Sequence, residues 1–231
     1  MKEKIVRVAF ALLIMAIIFC QFTILARASE TVSNDLIAWG LKRSNSHQAP
    51  QLDRASLETL NKYNGIAIGN SEKPYLYLTF DLGYEAGYTA QILDVLKETN
   101  VKAVFFIAGH YLNTQPDLVK RMIEEGHIVG NHTVNHKSLP SLSDTEVEKE
   151  IMDLHKALFD KFGYEMTYFR PPKGEFSERV LKITTDLGYT PVLWSFAYDD
   201  WDENKQGRED YGKNKILDNL HNRRHPSSTR N

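Results

Sequence analysis

Cysteine is almost absent from this chain. A single thiol, Cys20, among 231 residues rules out an intrachain disulfide. Charge of one sign is lacking too. The 28 Lys and Arg nearly cancel the 30 Asp and Glu, leaving a net charge of -2. Nucleic acid is therefore not expected as a partner, because phosphate binding calls for a concentrated basic face. Internal repeats and low-complexity tracts are missing as well, which sets solenoids and coiled arrays aside. What remains is ordinary: 42% apolar residues, enough for one core, one domain and a monomer.

The one long apolar run lies at the start. Lys2, Lys4 and Arg7 precede apolar residues from Val8 to about Leu25, and Ala26-Arg27-Ala28 follows as a small-x-small pattern. This is the layout of a secretory signal peptide, residues 1–28, cut after Ala28. The run is also long enough to stay as an uncleaved membrane anchor. Both readings put the rest of the chain outside the cytoplasm. Residues 29–74 are polar and turn-rich and read as an N-terminal arm over the domain, pinned by Trp39 and Tyr63.

From Tyr75 the pattern becomes regular. YLYLTF (Tyr75 to Phe80) has the β-rich character of a strand, and TAQILDVLKET has helical spacing at Ile92, Leu93 and Leu96. KAVFFIAG and HIVGN read as two more strands, with a helix between them that opens at Pro116 and closes at Gly126. Ser143 and Glu146 form a Ser-x-x-Glu capping box for a long helix ending at Gly163. YFR, then the helix SERVLKITTDLG, then the strand TPVLWSF complete a series in which strand and helix alternate. Such alternation predicts a parallel βα array, open or closed into a barrel.

Reacting groups in such arrays gather where strands end. Asp81 falls at the end of the first strand, His132 and His136 after the third, Arg170 after the fourth, and Asp199 and Asp200 after the fifth. Each alone has a plainer reading: Asp81 as a turn residue, the histidine pair as a chance spacing, Arg170 as half of a surface ion pair. Trp194 and Trp201 read alone as core and rim aromatics. His110 and His127 read as satisfying backbone groups, and His155 as a solvated helix residue. Consecutive strand-end clusters outweigh these separate readings. The four-residue spacing predicts His132 and His136 on one helical turn, facing the same way.

The order TFDLGYE, NHTVNH, RPPKGEFS, WSFAYDDW resembles the polysaccharide deacetylase family, carbohydrate esterases of the NodB type, from about Pro74 to Trp201. With Trp39-Gly40 and NGIAIGN it is most similar to the delta-lactam-biosynthetic de-N-acetylases, which act on N-acetylmuramic acid in spore-cortex peptidoglycan. The resemblance implies an α/β fold, a distorted (β/α)7 barrel over residues 75–231, and hydrolytic removal of an N-acetyl group from peptidoglycan glycan strands. It implies a divalent cation, zinc or another transition metal, on His132 and His136. Asp81 would be the general base, Arg170 its orienting partner and Asp200 a further member of the catalytic set. Trp201, Pro172 and Gly174 would line the sugar site. A chitin- or xylan-type deacetylase, or an inactive wall-binding remnant, are the alternatives.

The resemblance has departures. Leu82 stands where many members have a second aspartate ligand, and Ala197 where the last motif often has its first aspartate. The family also closes with an apolar strand carrying Leu-x-His, whose histidine protonates the leaving amine. After Trp201 this chain reads DENKQGREDYGK and ends NKILDNLHNRRHPSSTRN, with no apolar strand. A C-terminally incomplete, frameshifted or truncated form with little activity is therefore expected. One permissible codon set for Arg223 to Asn231, read one nucleotide later, encodes Ala-Ala-Ile-Leu-Leu-Leu-His-Ala.

Overall fold

The computed structural model of the chain describes residues 32–42, 50–69, 75–202, 204 and 207–220. The N-terminal segment 1–28, Cys20, His221, His225 and the tail from Arg223 lie outside the described residues. All the elements below belong to one unit, Asn34–Asn231. No helix among the described residues is long and apolar enough to cross a membrane.

In chain order the elements are β1 (Ile37–Ala38), β2 (Leu41–Lys42), β3 (Gln51–Leu52), α1 (Arg54–Lys62) and β4 (Thr79–Leu82). There follow α2 (Thr89–Glu98), β5 (Val104–Ile107), α3 (Gly109–Thr114), α4 (Pro116–Glu124), β6 (Ile128–Asn131) and α5 (Asp144–Phe162). The last are β7 (Tyr168–Phe169), β8 (Glu175–Phe176), α6 (Glu178–Asp186), β9 (Thr190–Pro191) and α7 (Glu209–Asn219). Helix starts follow their sequence signals. Ser143 and Glu146 form the expected reciprocal capping box on α5, Ser177 caps α6, and Pro116 opens α4. Gly163 ends α5 in the left-handed region, at φ 64, where a Cβ would be strained.

The central sheet has five strands in the order β4-β5-β6-β7-β9, all neighbours parallel. Pairing with β5 starts at Thr79, opposite Val104, and runs to Leu82, opposite Ile107. The first strand thus lies later than the expected Tyr75 to Phe80, and Tyr75, Leu76 and Tyr77 are exposed. β5 reads nearly all buried, as a strand covered on both faces does. Its Phe105 and Ile107 join Leu93, Val119, Met122, Ile151 and Leu158 in the main core.

The sheet curls. Three strand spacings separate β4 from β7, about 14 Å in a flat sheet. Yet Arg170, just after β7, donates from Nη1 to Thr79 Oγ1 at 2.9 Å and to Asp81 Oδ1 at 2.7 Å on β4. Only a wall bent towards closure brings those strand ends within reach of one side chain, as in the expected distorted barrel. The segment before Tyr75 joins this wall. Ile66 pairs in parallel with Val192, beyond β9. β1 pairs with β8, and Trp39 donates from Nε1 to Trp194 O at 2.9 Å. α1, which no periodicity in the sequence announced, buries Leu60 in a second core with Trp39, Phe176, Leu181 and Leu193.

Candidate active site

Asp81 stands near the C-terminal end of β4, with its side chain 37% exposed. Arg170 is buried beneath it, 3% exposed, with its guanidinium 4.2 Å from the Phe106 ring centroid. Besides Asp81 and Thr79 it donates from Nε to Val192 O at 3.1 Å. It is therefore not a surface ion pair. The fixed fork holds one oxygen of Asp81 and leaves the other, Oδ2, 3.8 Å from His132 Nε2.

His132 is buried, and its Nδ1 lies 2.7 Å from Arg170 O. A carbonyl only accepts, so Nδ1 carries the hydrogen and Nε2 turns a lone pair towards Asp81. Burial is the largest cause holding the His132 imidazole below its usual pKa, against the opposing charge of Asp81. The His136 ring lies 4.8 Å from that of His132, centroid to centroid. Its pKa is lowered too, by desolvation first and then by His132. Two neutral imidazoles thus lie side by side next to a carboxylate.

The expected helical turn between them is absent. Residues 132–136 form a loop in which Thr133 and His136 take left-handed φ values of 68 and 54. A helix is excluded because side chains claim the backbone donors. Thr133 N donates to Asn131 Oδ1 at 2.9 Å, and His136 N to Thr133 Oγ1 at 3.0 Å. Asn135 donates to the Glu150 carboxylate from both N and Nδ2, each at 2.8 Å. The rings converge because Asn131 and Glu150 shape the loop, not because of a helical period.

Asp200 is exposed as a residue, but its carboxyl pKa is raised. Desolvation comes first among the causes, with the charges of Asp81 and Asp199 adding to it. The structure thus brings Asp81, Arg170, His132 and His136 together, with Asp200 within electrostatic reach. Trp201 beside it is 79% exposed. Pro172 and Gly174, expected to line the sugar site, are both buried. Gly174 has φ 69, and a Cβ there would come within 2.7 Å of the Trp194 ring, so this turn supports the site from below.

Asn131 and Glu150 were missed as parts of the site. Glu150 was visible in the sequence as a lone carboxylate on the stripe Val147, Ile151, Leu154, Leu158, where an apolar residue is due. His155, expected to be solvated, is half-buried with Nδ1 2.6 Å from the Tyr189 hydroxyl, and Asn131 Nδ2 donates to that same hydroxyl at 3.2 Å.

The residues present suit a divalent transition metal in donor type, since neutral imidazole nitrogens and a carboxylate are its common ligands. Among the described residues no group of three or more His, Cys, Asp or Glu is gathered tightly enough to hold an ion. The arrangement offers two imidazoles with ring centroids 4.8 Å apart and one carboxylate oxygen, Asp81 Oδ2, 3.8 Å from His132 Nε2.

Curled parallel strands with a buried arginine holding an accessible aspartate, and two imidazoles at their C-terminal ends, define a β/α-barrel hydrolase. The chain belongs to the polysaccharide deacetylase family, whose model matches residues 68–192. Among curated relatives, the peptidoglycan-N-acetylmuramic acid deacetylase PdaA of Bacillus subtilis is 40% identical over 211 residues, 90% of this chain and 80% of that protein. The solved structure of Bacillus subtilis PdaA, a family 4 carbohydrate esterase, superposes with a TM-score of 0.80 at 41% identity, covering 83% of this chain and 82% of that one. A family 4 carbohydrate esterase from Bacillus anthracis gives 0.70 at 37% identity, covering 82% and 91%.

Proposed function

We propose that this chain hydrolyses the N-acetyl group of N-acetylmuramic acid residues in peptidoglycan glycan strands, the step that permits muramic delta-lactam formation. The observation that carries the reading is Asp81. Its Oδ1 is held by Arg170 at 2.7 Å and its Oδ2 faces His132 Nε2 at 3.8 Å, beside a relative of matching activity that aligns over nearly the whole chain.

Amide hydrolysis needs a proton acceptor for water, a charge-stabilising environment for the tetrahedral oxygen and a proton for the amine. Asp81 supplies the acceptor, and the Arg170 hydrogen bond keeps it aimed. His132 and His136 would hold a divalent cation, which when bound polarises water and the acetyl carbonyl. The Arg170 carbonyl fixes the His132 tautomer, so Nε2 is the unprotonated nitrogen of the neutral ring. Asp200, its carboxyl pKa raised chiefly by desolvation and further by the charge of Asp81, adds a second carboxyl beside the base. Trp201 offers its open face to the pyranose ring. We also place the chain's work outside the cytoplasm, on the layout of residues 1–28.

The test is incubation of the purified chain with peptidoglycan and a series of divalent ions, followed by mass analysis of the digested glycan. Loss of acetyl from muramic residues supports the reading. Loss from glucosamine residues alone, or from chitin or xylan only, replaces it with a sister specificity. No acetate from any of them, with the fold intact, supports a wall-binding remnant.

A further inference from the structure

Tyr84 is 78% exposed, yet it sits on a tightly held stretch of chain. It lies two residues past the end of β4, in the turn that leads to α2. Glu85 clasps that turn. Its Oε1 accepts from Gly87 N at 2.6 Å and from Thr89 N at 3.2 Å, and its Oε2 accepts from the Tyr111 hydroxyl at 2.8 Å. Tyr111 is fully buried, so the clasp ties the turn to the core. The Tyr84 ring also leans on His110, with centroids 4.3 Å apart.

His110 locates this pair. It follows Gly109 at the start of α3, and Gly109 N donates to Thr133 O at 3.1 Å and Val134 O at 3.2 Å, in the loop between the two imidazoles. Tyr84 and His110 therefore stand on the rim beside the histidine pair, where β4 and β5 end. Trp201, equally exposed, rises from the turn next to Asp200. Core packing does not account for a large ring held open to water on a fixed backbone. Such a ring loses little freedom when a ligand covers it, and the apolar C–H face of a pyranose is a ligand of the right shape.

We propose that Tyr84, backed by His110 and positioned by Glu85, is a stacking subsite for a sugar of the glycan strand flanking the one that is deacetylated. The inference rests on the reading of the chain as a glycan deacetylase and adds a length preference to it. A strand that reaches past the reacting sugar covers Tyr84; a single disaccharide does not.

The experiment compares kcat/KM on N-acetylated strands of several disaccharides and on one disaccharide, for wild type, Tyr84→Ala and Tyr84→Phe. In Tyr84→Ala the preference for long strands falls by about tenfold, and Phe restores it because the ring remains. An unchanged preference overturns the proposal, as does an equal loss with Phe. Melting temperature and bound metal are measured alongside, and both stay at wild-type values because the residue is exposed. A failure of the deacetylase reading is told apart by binding without turnover. Asp81→Asn protein is titrated with purified strands, and adding Tyr84→Ala weakens binding by about tenfold. No binding to strands at all, or binding that Tyr84→Ala leaves unchanged, overturns the subsite even if acetate release is seen. Glu85→Gln serves as the positioning variant: it weakens the clasp and gives a smaller loss in the same direction.

Discussion

The Arg170 guanidinium serves three acceptors, Val192 O, Thr79 Oγ1 and Asp81 Oδ1, and a lysine has one ammonium to offer them. Arg170→Lys therefore leaves a buried carbonyl or hydroxyl without its donor. It should lower stability by about 1–3 kcal/mol and turnover with it, readable by denaturant titration and acetate release. Unchanged values in both would mean the fork is not needed. Asp81→Asn separates chemistry from shape. The amide still accepts from Arg170 on one side, but it takes no proton. Acetate release should fall by roughly 10²-fold or more while the ion content of the purified protein stays the same. An active Asn variant would remove Asp81 as the base.

Helix α3 and the histidine loop depend on one another. A Cβ at Gly109 would come within 2.7 Å of Val134 O, a backbone atom that cannot swing aside. Gly109→Ala should push the loop and part the His132 and His136 rings, so divalent-ion affinity drops with a smaller change in melting temperature. Isothermal titration with the metal alone reads this, and wild-type affinity would show that the loop tolerates the shift. Glu150 acts on the same loop from α5. Replacing it by Ala frees the Asn135 N–H and side-chain amide together, and the expected result is again weaker ion binding. Helices α2, α4, α5 and α6 were readable along the chain, because caps and stop residues act within one turn. The loop was not, because its shape is set by a carboxylate 15 residues away in sequence.

For the molecule as a whole, desolvated imidazoles set the response to acid. The buried His127 and His132, and with them the more open His136, are each held below their usual 6.5, desolvation being the largest cause. Below that value the unfolded chain binds more protons than the folded one, so stability is lost as pH falls through it. Asp200 runs the other way, with its pKa raised above 3.8, and acts lower on the scale. The melting temperature should thus be lower at about pH 5.5 than at about pH 7.5. Equal values at both would show that the imidazoles stay solvated.

Alternation of short β-rich runs with capped helices determined the parallel βα architecture, and the polar residues at consecutive strand ends determined which side chains to suspect. Both signals are local: a two- or 3.6-residue period, a cap, a turn residue. Three things were decided only in three dimensions. Ile66 and Trp39, in a stretch that reads as polar arm, join the wall and a second core through contacts with Val192 and Trp194. Pro172 and Gly174, close to Arg170 in the motif, are buried, Gly174 against the ring of Trp194. Arg170 and Asp81, 89 residues apart, become an ion pair because the sheet curls. Pairing across a curved wall depends on strand order and twist, which no window of neighbouring residues contains.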